Sequence, residues 1–136
     1  MAPFESGASS HSVFSFESPR VRMGFVEITG TEATLSLPDP NNFDGDIRLW
    51  RAGDEDWTTV PATGPANGRG MGVLDMARSI RAGVPHRATG DLAYHVLDSM
   101  VSITESMESG TFVDVESSAP ASPALPEDWA PEVATL

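Results

Sequence analysis

The chain has 136 residues, a length that suits one domain or part of a larger one, and its formal net charge is −12. So acidic a composition argues against nucleic-acid binding, because phosphates are held by clustered cations. There is no cysteine, which excludes disulfides and thiolate chemistry. No apolar run approaches the ~20 residues of a membrane span, and the first residues do not resemble a signal peptide. We therefore expect a cytoplasmic protein.

The charge is unevenly distributed along the chain. Every basic residue is an arginine, the last of them is Arg87, and all charged residues that follow it are acidic. The acidic second half is either a solvated face or a surface that meets a basic region elsewhere.

In the first half of the chain, apolar and polar residues alternate with the period of a β-strand. The pattern predicts these strands: His11–Ser18, Arg22–Gly30, Ala33–Asp39, Ile47–Arg51 and Trp57–Pro61. The short link at Gly30 predicts an antiparallel hairpin between the second and third of them. Val26 and Ile28 would share one face of that hairpin, with Glu27 on the other.

The second half changes to helical spacing, with a first helix at about 71–82. Its apolar face consists of Val73, Met76, Ala77 and Ile80. Asp75 is expected in its first turn, Arg78 and Arg81 in its last turns, and Gly83 at its end, in agreement with the helix dipole.

A second helix is predicted at about 90–109, with Thr89 as its N-cap and Gly110 as its stop. Its apolar stripe consists of Leu92, Val96, Met100, Ile103 and Met107, widened by Ala93, Leu97 and Val101. A stripe of this width predicts burial against a sheet or other helices. A last strand is expected over Thr111–Ser118.

This order of elements predicts an α+β fold, a mostly antiparallel sheet covered by the two helices. Residues 1–10 are expected to be disordered or frayed, and residues 11–118 to form the folded domain. The Pro- and Ala-rich acidic tail, residues 119–136, is expected to be extended and weakly ordered.

The glycine-rich segment "GRGMGVLDMARSIRAG", Gly68–Gly83, could cradle a phosphate at a helix N-terminus. A dinucleotide loop, however, follows a buried strand, has the spacing G-x-G-x-x-G, and is followed by an acidic residue at a strand end. Here a loop precedes a G-x-G-x-G, and Asp91 opens a helix. We therefore interpret the glycines as a sharp entry into a helix and expect no cofactor-binding residues.

"DLAYH" places Asp91 and His95 four residues apart on one helix face, with Asp98 nearby, as in a carboxylate–imidazole acid–base pair. A structural pairing of a half-buried histidine is the commoner reason for such a pattern, and no further ligands are spaced for a metal. His11 is isolated, and His86 is expected to be a solvated loop residue, although it could touch an anion. We expect no catalytic and no metal-binding residues.

Two further features have simple explanations. The Ser-rich stretches contain no Gly-x-Ser-x-Gly elbow, so nothing supports serine hydrolase chemistry. Trp50 and Trp57 fit packing on a sheet, although they could belong to an interface.

Two blocks, "ITGTEATLSLPDPNNFDGDIRLW" and "RGMGVLDMARSIRAGVPHRATGDLAYHVLDSMVSITESMESGTFVDVES", carry a resemblance that covers about residues 11 to 118. In order and spacing they resemble the later part of the C-terminal domain of the Gfo/Idh/MocA family of oxidoreductases. The first block is similar to the family's strand–turn–strand motif, with Ala33 in place of its usual second glycine. The second is similar to its glycine turn, "DMA-x-x-I-R" helix, "L-A-x-H-V-L-D" helix and closing strand.

The resemblance implies an NAD- or NADP-dependent oxidoreductase of the sugar or polyol dehydrogenase class. In that family an N-terminal Rossmann domain binds the cofactor, and the C-terminal sheet shapes the substrate pocket and makes oligomer contacts. This sequence has no Rossmann fingerprint, no lysine and no match to the early Asp/His motif, so no family catalytic residue is carried onto it. Asp91 and His95 have that motif's spacing but lie in the closing helix.

The sequence therefore predicts the substrate-pocket and oligomerisation portion of such an enzyme, not competent alone and binding no cofactor by itself. Its partners would be the missing Rossmann domain or a partner subunit, and further copies through the sheet face. A stand-alone, non-catalytic sheet module that pairs with another protein is the alternative. An enzyme that uses Asp91 and His95 directly is a third possibility.

Overall fold

A computed structural model describes residues 1–19, 26–64 and 68–133. The chain divides into two units. The first runs to Val60 apart from Phe43–Gly45, and the second consists of that short segment and the chain from Pro61 onward. Among the described residues, every strand lies in the first unit and both helices lie in the second. The α+β class predicted from the sequence is confirmed.

A four-stranded antiparallel sheet forms the main part of the first unit. Its strands, in spatial and chain order, are β3 (Val26–Thr29), β4 (Ala33–Leu37), β5 (Ile47–Arg51) and β6 (Thr58–Val60). The predicted hairpin at Gly30 is confirmed, since Val26 pairs with Leu37 and Thr29 with Thr34. Part of the predicted second strand, residues 20–25, lies outside the described residues.

The register gives the sheet one apolar and one polar face. Cross-strand pairing aligns the apolar side chains of neighbouring strands, because residues paired directly across a ladder share a face. On the apolar face are Val26, Ile28, Ala33, Leu35, Leu37, Ile47, Leu49 and Val60. On the polar face, the guanidinium of Arg48 donates to the buried hydroxyl of Ser36 (3.1 Å).

The N-terminal residues differ from the sequence prediction. Ala2–Pro3 (β1) and Ser9–Ser10 (β2) pair as a short antiparallel ribbon in the segment expected to be frayed. The predicted strand over His11–Ser18 is wrong, because this segment joins no ladder in the described part of the chain. The amide of Glu17 instead bonds the side chain of Ser15, a local bond that competes with strand pairing.

The second unit contains α1 (Met71–Ala82) and α2 (Gly90–Ser109), as predicted. The hydroxyl of Thr89 accepts from the amide of Leu92 (3.2 Å), which confirms the N-cap. Gly83 ends α1 at φ 67°, in the left-handed region that favours glycine, and its amide donates to the carbonyl of Ile80. Gly110 ends α2 in the same conformation.

Three expectations about this unit are wrong. Asp75 lies beyond the first turn of α1, buried and paired with Arg87. Thr111–Ser118 forms no strand, because its polar groups bond α2 side chains instead of a ladder. The apolar stripe of α2 is largely exposed rather than buried.

Burial in the described residues favours polar side chains. No hydrophobic side chain among them is fully buried, and the buried residues are Ser36, Asp75, Ser79 and Ser102. Both helices thus turn a polar face inward, which reverses the usual amphipathic arrangement. Within the described residues, neither helix combines the length and hydropathy needed to cross a membrane.

Candidate functional site

A polar cluster of three side chains lies where the segment after α2 runs back along the helix. Nδ1 of His95 is hydrogen-bonded to the hydroxyl of Ser117 (2.9 Å). The amide of Ser117 donates to the carboxylate of Asp98 (2.9 Å). His95 and Asp98 lie three residues apart on α2, so one serine contacts both side chains.

The electrostatics of this cluster favour a charged carboxylate. Hydrogen bonds from the hydroxyl and then the amide of Ser117 lower the pKa of Asp98 below its ordinary 3.8. Desolvation opposes this effect, and the charge of His95 adds a smaller lowering. Hydrogen bonds to the ionised form thus hold the carboxylate charged.

The order of the three groups does not suit nucleophilic catalysis. In a serine hydrolase, the histidine lies between serine and carboxylate, takes the serine proton and is oriented by the acid. Here Ser117 lies between His95 and Asp98, with its hydroxyl bonded to the imidazole and its amide to the carboxylate. The cluster therefore fastens the segment after α2 to the helix.

The predicted pairing of Asp91 with His95 does not form. Asp91 is exposed in the first turn of α2, where it complements the helix dipole. His95 is bonded to Ser117 instead. The sequence analysis did not identify Ser117 as a partner of His95. The two residues are 22 positions apart, and Ser117 was expected in a strand, so no periodic pattern connects them.

The glycine-rich turn does not have the geometry of a dinucleotide loop. Strand β6 ends at Val60, and α1 begins at Met71, so no strand leads directly into the helix. Gly70 precedes the helix at φ 91°, which explains why glycine stands there. The amide of Met71 points back to the carbonyl of Gly68 (3.4 Å). These residues do not fit a nicotinamide cofactor, and the glycines serve the turn.

Within the second unit, two arginines attach the C-terminal tail to α1 and to the loop after it. The guanidinium of Arg78, on α1, donates to the carbonyls of Ala130 (2.9 Å), Pro131 (3.2 Å) and Val133 (2.6 Å). It also lies 4.6 Å from the ring centroid of Trp129, a cation–π distance. An open cavity of about 310 Å³ is lined by Arg78, Pro126, Asp128, Trp129, Ala130 and Val133.

Arg87 makes the second attachment. Its side chain donates to the carbonyls of Pro123 (3.0 Å) and Ala124 (3.2 Å) while it pairs with Asp75. The hydroxyl of Ser122 donates back to the carbonyl of Arg87 (2.9 Å). The sequence contains one signal for this arrangement: a proline-rich segment exposes carbonyls that its own backbone cannot satisfy.

The other two histidines, His86 and His11, lie outside this cluster. His86 is half-buried, and its Nδ1 atom is buried without a hydrogen-bond partner, so the expected solvated loop histidine is wrong. His11 is exposed. In the described ranges, no group of three His, Asp or Glu side chains is arranged to hold a metal ion.

Trp50 and Trp57 contact each other edge to face, with ring centroids 5.5 Å apart. The guanidinium of Arg48 lies 5.2 Å from the ring centroid of Trp57. An aromatic pair with a stacked cation is typical of a structural contact on a sheet surface.

No family model matches this chain, and no curated protein or solved structure matches it.

Proposed function

We propose that this chain is the later part of the C-terminal domain of a Gfo/Idh/MocA-type NAD(P)-dependent oxidoreductase. In this assignment it walls the substrate pocket of a sugar or polyol dehydrogenase and makes oligomer contacts, and it is not catalytic alone. The missing nicotinamide-binding domain or a partner subunit supplies the cofactor and the catalytic residues. The proposal includes a cytoplasmic location.

The observation that carries this proposal is the four-stranded antiparallel sheet with one apolar face. Ile28 is more than half exposed on that face at one edge of the sheet, and Val60 is exposed on the same face at the opposite edge. Apolar sheet surface of this kind is typical of an interface with a further domain or subunit. The sequence resemblance over residues 11–118 supplies the family.

The cofactor is assigned to the missing domain because the glycine-rich turn before α1 lacks the strand and spacing that a dinucleotide requires. A fluorescence titration with NADH tests this assignment. We expect no saturable signal from the isolated chain. Saturable micromolar binding would contradict it.

The oligomer contact is tested on a single strand. Ile28→Asp places a charge on the apolar face of β3, and Thr29→Asp places the same charge on the opposite face of that strand. We expect Ile28→Asp to reduce the sedimentation coefficient of an assembled wild type, and Thr29→Asp to leave it unchanged. Equal behaviour of the two variants would exclude the sheet face as the contact.

A stand-alone, non-catalytic module that pairs with a partner protein is the second candidate, and the same exposed apolar side chains favour it. The two candidates differ in what lies upstream of the codon for Met1. An in-frame extension that encodes a Gly-rich βαβ unit would support the oxidoreductase. A stop codon and a ribosome-binding site at that position would leave the interaction module.

A further inference from the structure

Within the second unit, the C-terminal tail is attached at two separate points. Residues 122–125, the inner tail, are held by Arg87 in the loop after α1. Residues 126–133, the outer tail, are held by Arg78 on α1 itself. Both arginines bind backbone carbonyls, but the two attachments differ in how firmly the arginine itself is positioned.

The inner attachment is fixed from several directions. The guanidinium of Arg87 donates through Nε and one terminal nitrogen to the carbonyls of Pro123 and Ala124. Its other terminal nitrogen pairs with the buried carboxylate of Asp75, which also accepts from the amide of Arg87. The carbonyl of Arg87 accepts from the hydroxyl of Ser122. Because a buried ion pair orients this arginine, the inner tail meets a donor that is already in place, and such charge-assisted bonds are strong.

The outer attachment depends on a single nitrogen atom. One terminal nitrogen of Arg78 is the donor to the carbonyls of Ala130 (2.9 Å), Pro131 (3.2 Å) and Val133 (2.6 Å). That nitrogen carries only two hydrogens, so it cannot make three well-directed bonds at once. In the described part of the chain no acidic side chain forms an ion pair with Arg78. Its guanidinium is therefore not oriented in the way that Asp75 orients Arg87.

The outer tail is also incompletely packed. The guanidinium of Arg78 lies 4.6 Å from the ring centroid of Trp129, and an open cavity of about 310 Å³ adjoins this contact. Apart from Arg78, each described residue that lines the cavity belongs to the outer tail. The cavity therefore exists only while the outer tail lies on Arg78. The open side of the tail lacks the dispersion contacts that close packing would supply.

The two halves of the tail are separate in their hydrogen bonding. The amide of Trp129 donates to the carbonyl of Pro126 (3.0 Å), which closes a turn within the outer tail. Pro126, at the boundary, has no amide hydrogen to donate back to the inner tail. Among the described residues, no hydrogen bond joins the inner tail to the outer tail. The outer tail can thus leave Arg78 without breaking a bond of the inner tail.

We propose that the tail is a strap whose outer half opens and closes over Arg78 while its inner half stays fixed on Arg87. Opening breaks the shared carbonyl bonds and the Trp129 contact, and it leaves the ion pair of Arg87 with Asp75 intact. Local opening of this kind costs less free energy than global unfolding, so it occurs within the native protein. It exposes Arg78 and abolishes the cavity, and a molecule that occupied the cavity would hold the strap closed by mass action. The inference depends only on contacts within the second unit and not on the proposed oxidoreductase role.

Introduced thiols can follow the two halves separately, because the sequence contains no cysteine. Leu125→Cys reports on the inner tail and Ala130→Cys on the outer tail, and both positions are half-buried. Each thiol is placed in the full chain with and without Arg78→Met, and its rate of reaction with DTNB is measured. Arg78→Met should accelerate the thiol at position 130 about tenfold, which corresponds to ~1.4 kcal/mol of lost attachment, and leave the thiol at position 125 unchanged.

Two controls accompany this measurement. Arg81→Met removes the same charge from an exposed position on α1 and should change neither rate. In urea both thiols should react at least about tenfold faster than in the native chain, which shows that each is protected by the folded structure. Circular dichroism at 222 nm checks that every variant keeps its helices.

Three results would overturn the proposal. Equal acceleration of both thiols by Arg78→Met would show that the tail moves as one body. An unchanged rate at position 130 would show that Arg78 does not hold the outer tail. A thiol at position 125 that reacts as fast in the native chain as in urea would show that the inner tail is not fixed.

Discussion

The carboxylate of Asp75, on α1, forms an ion pair with the guanidinium of Arg87, twelve residues further along the chain. The same carboxylate accepts from the backbone amide of Arg87 (3.2 Å). Since Arg87 also holds the carbonyls of Pro123 and Ala124, one buried acid positions the residue that attaches the tail. This relation links α1, the loop after it and the C-terminal segment.

Replacing Asp75 should therefore destabilise the second unit. Asp75→Ala leaves the partly buried guanidinium and amide of Arg87 without their acceptor, and we expect a loss of about 1–3 kcal/mol in the free energy of unfolding. Urea denaturation followed at 222 nm measures it. Glu105→Ala, an exposed acid on α2, is the matched control and should change stability by less than ~0.5 kcal/mol. Equal losses in the two variants would show that the ion pair contributes nothing.

The cluster at Ser117 gives a prediction about proton binding. Ser117→Ala removes the hydroxyl bond, the largest cause of the lowered pKa of Asp98, but keeps the amide bond. The pKa of Asp98 should rise toward 3.8 and remain below it. A carboxyl carbon-13 NMR titration of both proteins measures this value. An unchanged pKa of Asp98 would contradict the arrangement.

The sign of the pH dependence follows from the direction of that shift. Because folding lowers the pKa of Asp98, its contribution to stability is complete above the unfolded value, near 3.8, and is lost as the pH falls through the folded value. Asp98→Asn should therefore flatten the dependence of unfolding free energy on pH below 3.8. If the variant keeps the wild-type slope there, other carboxylates dominate the acid transition.

Limited proteolysis tests whether Arg78 attaches the tail. Arg78→Met keeps the apolar stem but removes the donors to the carbonyls of Ala130, Pro131 and Val133. Cleavage after Glu127 by a glutamate-specific protease should accelerate about tenfold, which corresponds to ~1.4 kcal/mol. Arg81→Met, an exposed arginine on the same helix, is the control and should cleave at the wild-type rate. Similar rates in all three proteins would show that Arg78 does not restrain the tail.

The N-cap of α2 can be tested against a second threonine of the same region. Thr89→Ala removes the acceptor for the amide of Leu92 and should cost about 1 kcal/mol of stability. Thr104→Ala is the comparison. Thr104 lies within the helix, and its hydroxyl donates to the carbonyl of Met100 instead of capping a helix end. That change should be neutral or slightly stabilising, because alanine is the better helix former. Thermal unfolding of both variants distinguishes the two roles.

Local chemistry made much of the fold predictable. The helix ends at Gly83 and Gly110, the cap at Thr89 and the hairpin at Gly30 depend on residues within about one turn of each other, so sequence spacing suffices. The strands predicted over residues 11–18 and 111–118 do not form, for the opposite reason. A strand exists only when a partner satisfies its backbone, and alternation shows a preference without supplying that partner.

The sequence by itself thus determined the α+β composition, the position of both helices and the pairing of apolar residues on one sheet face. Only the tertiary structure decided which face of each helix is covered. Helical periodicity identifies the apolar stripe of a helix. Whether that stripe faces inward depends on whether the rest of the protein provides an apolar core for it to pack against. Here bonds from Arg87 and Ser117, distant in sequence from their partners Asp75 and Asp98, hold the polar faces inward and leave the apolar stripes outside.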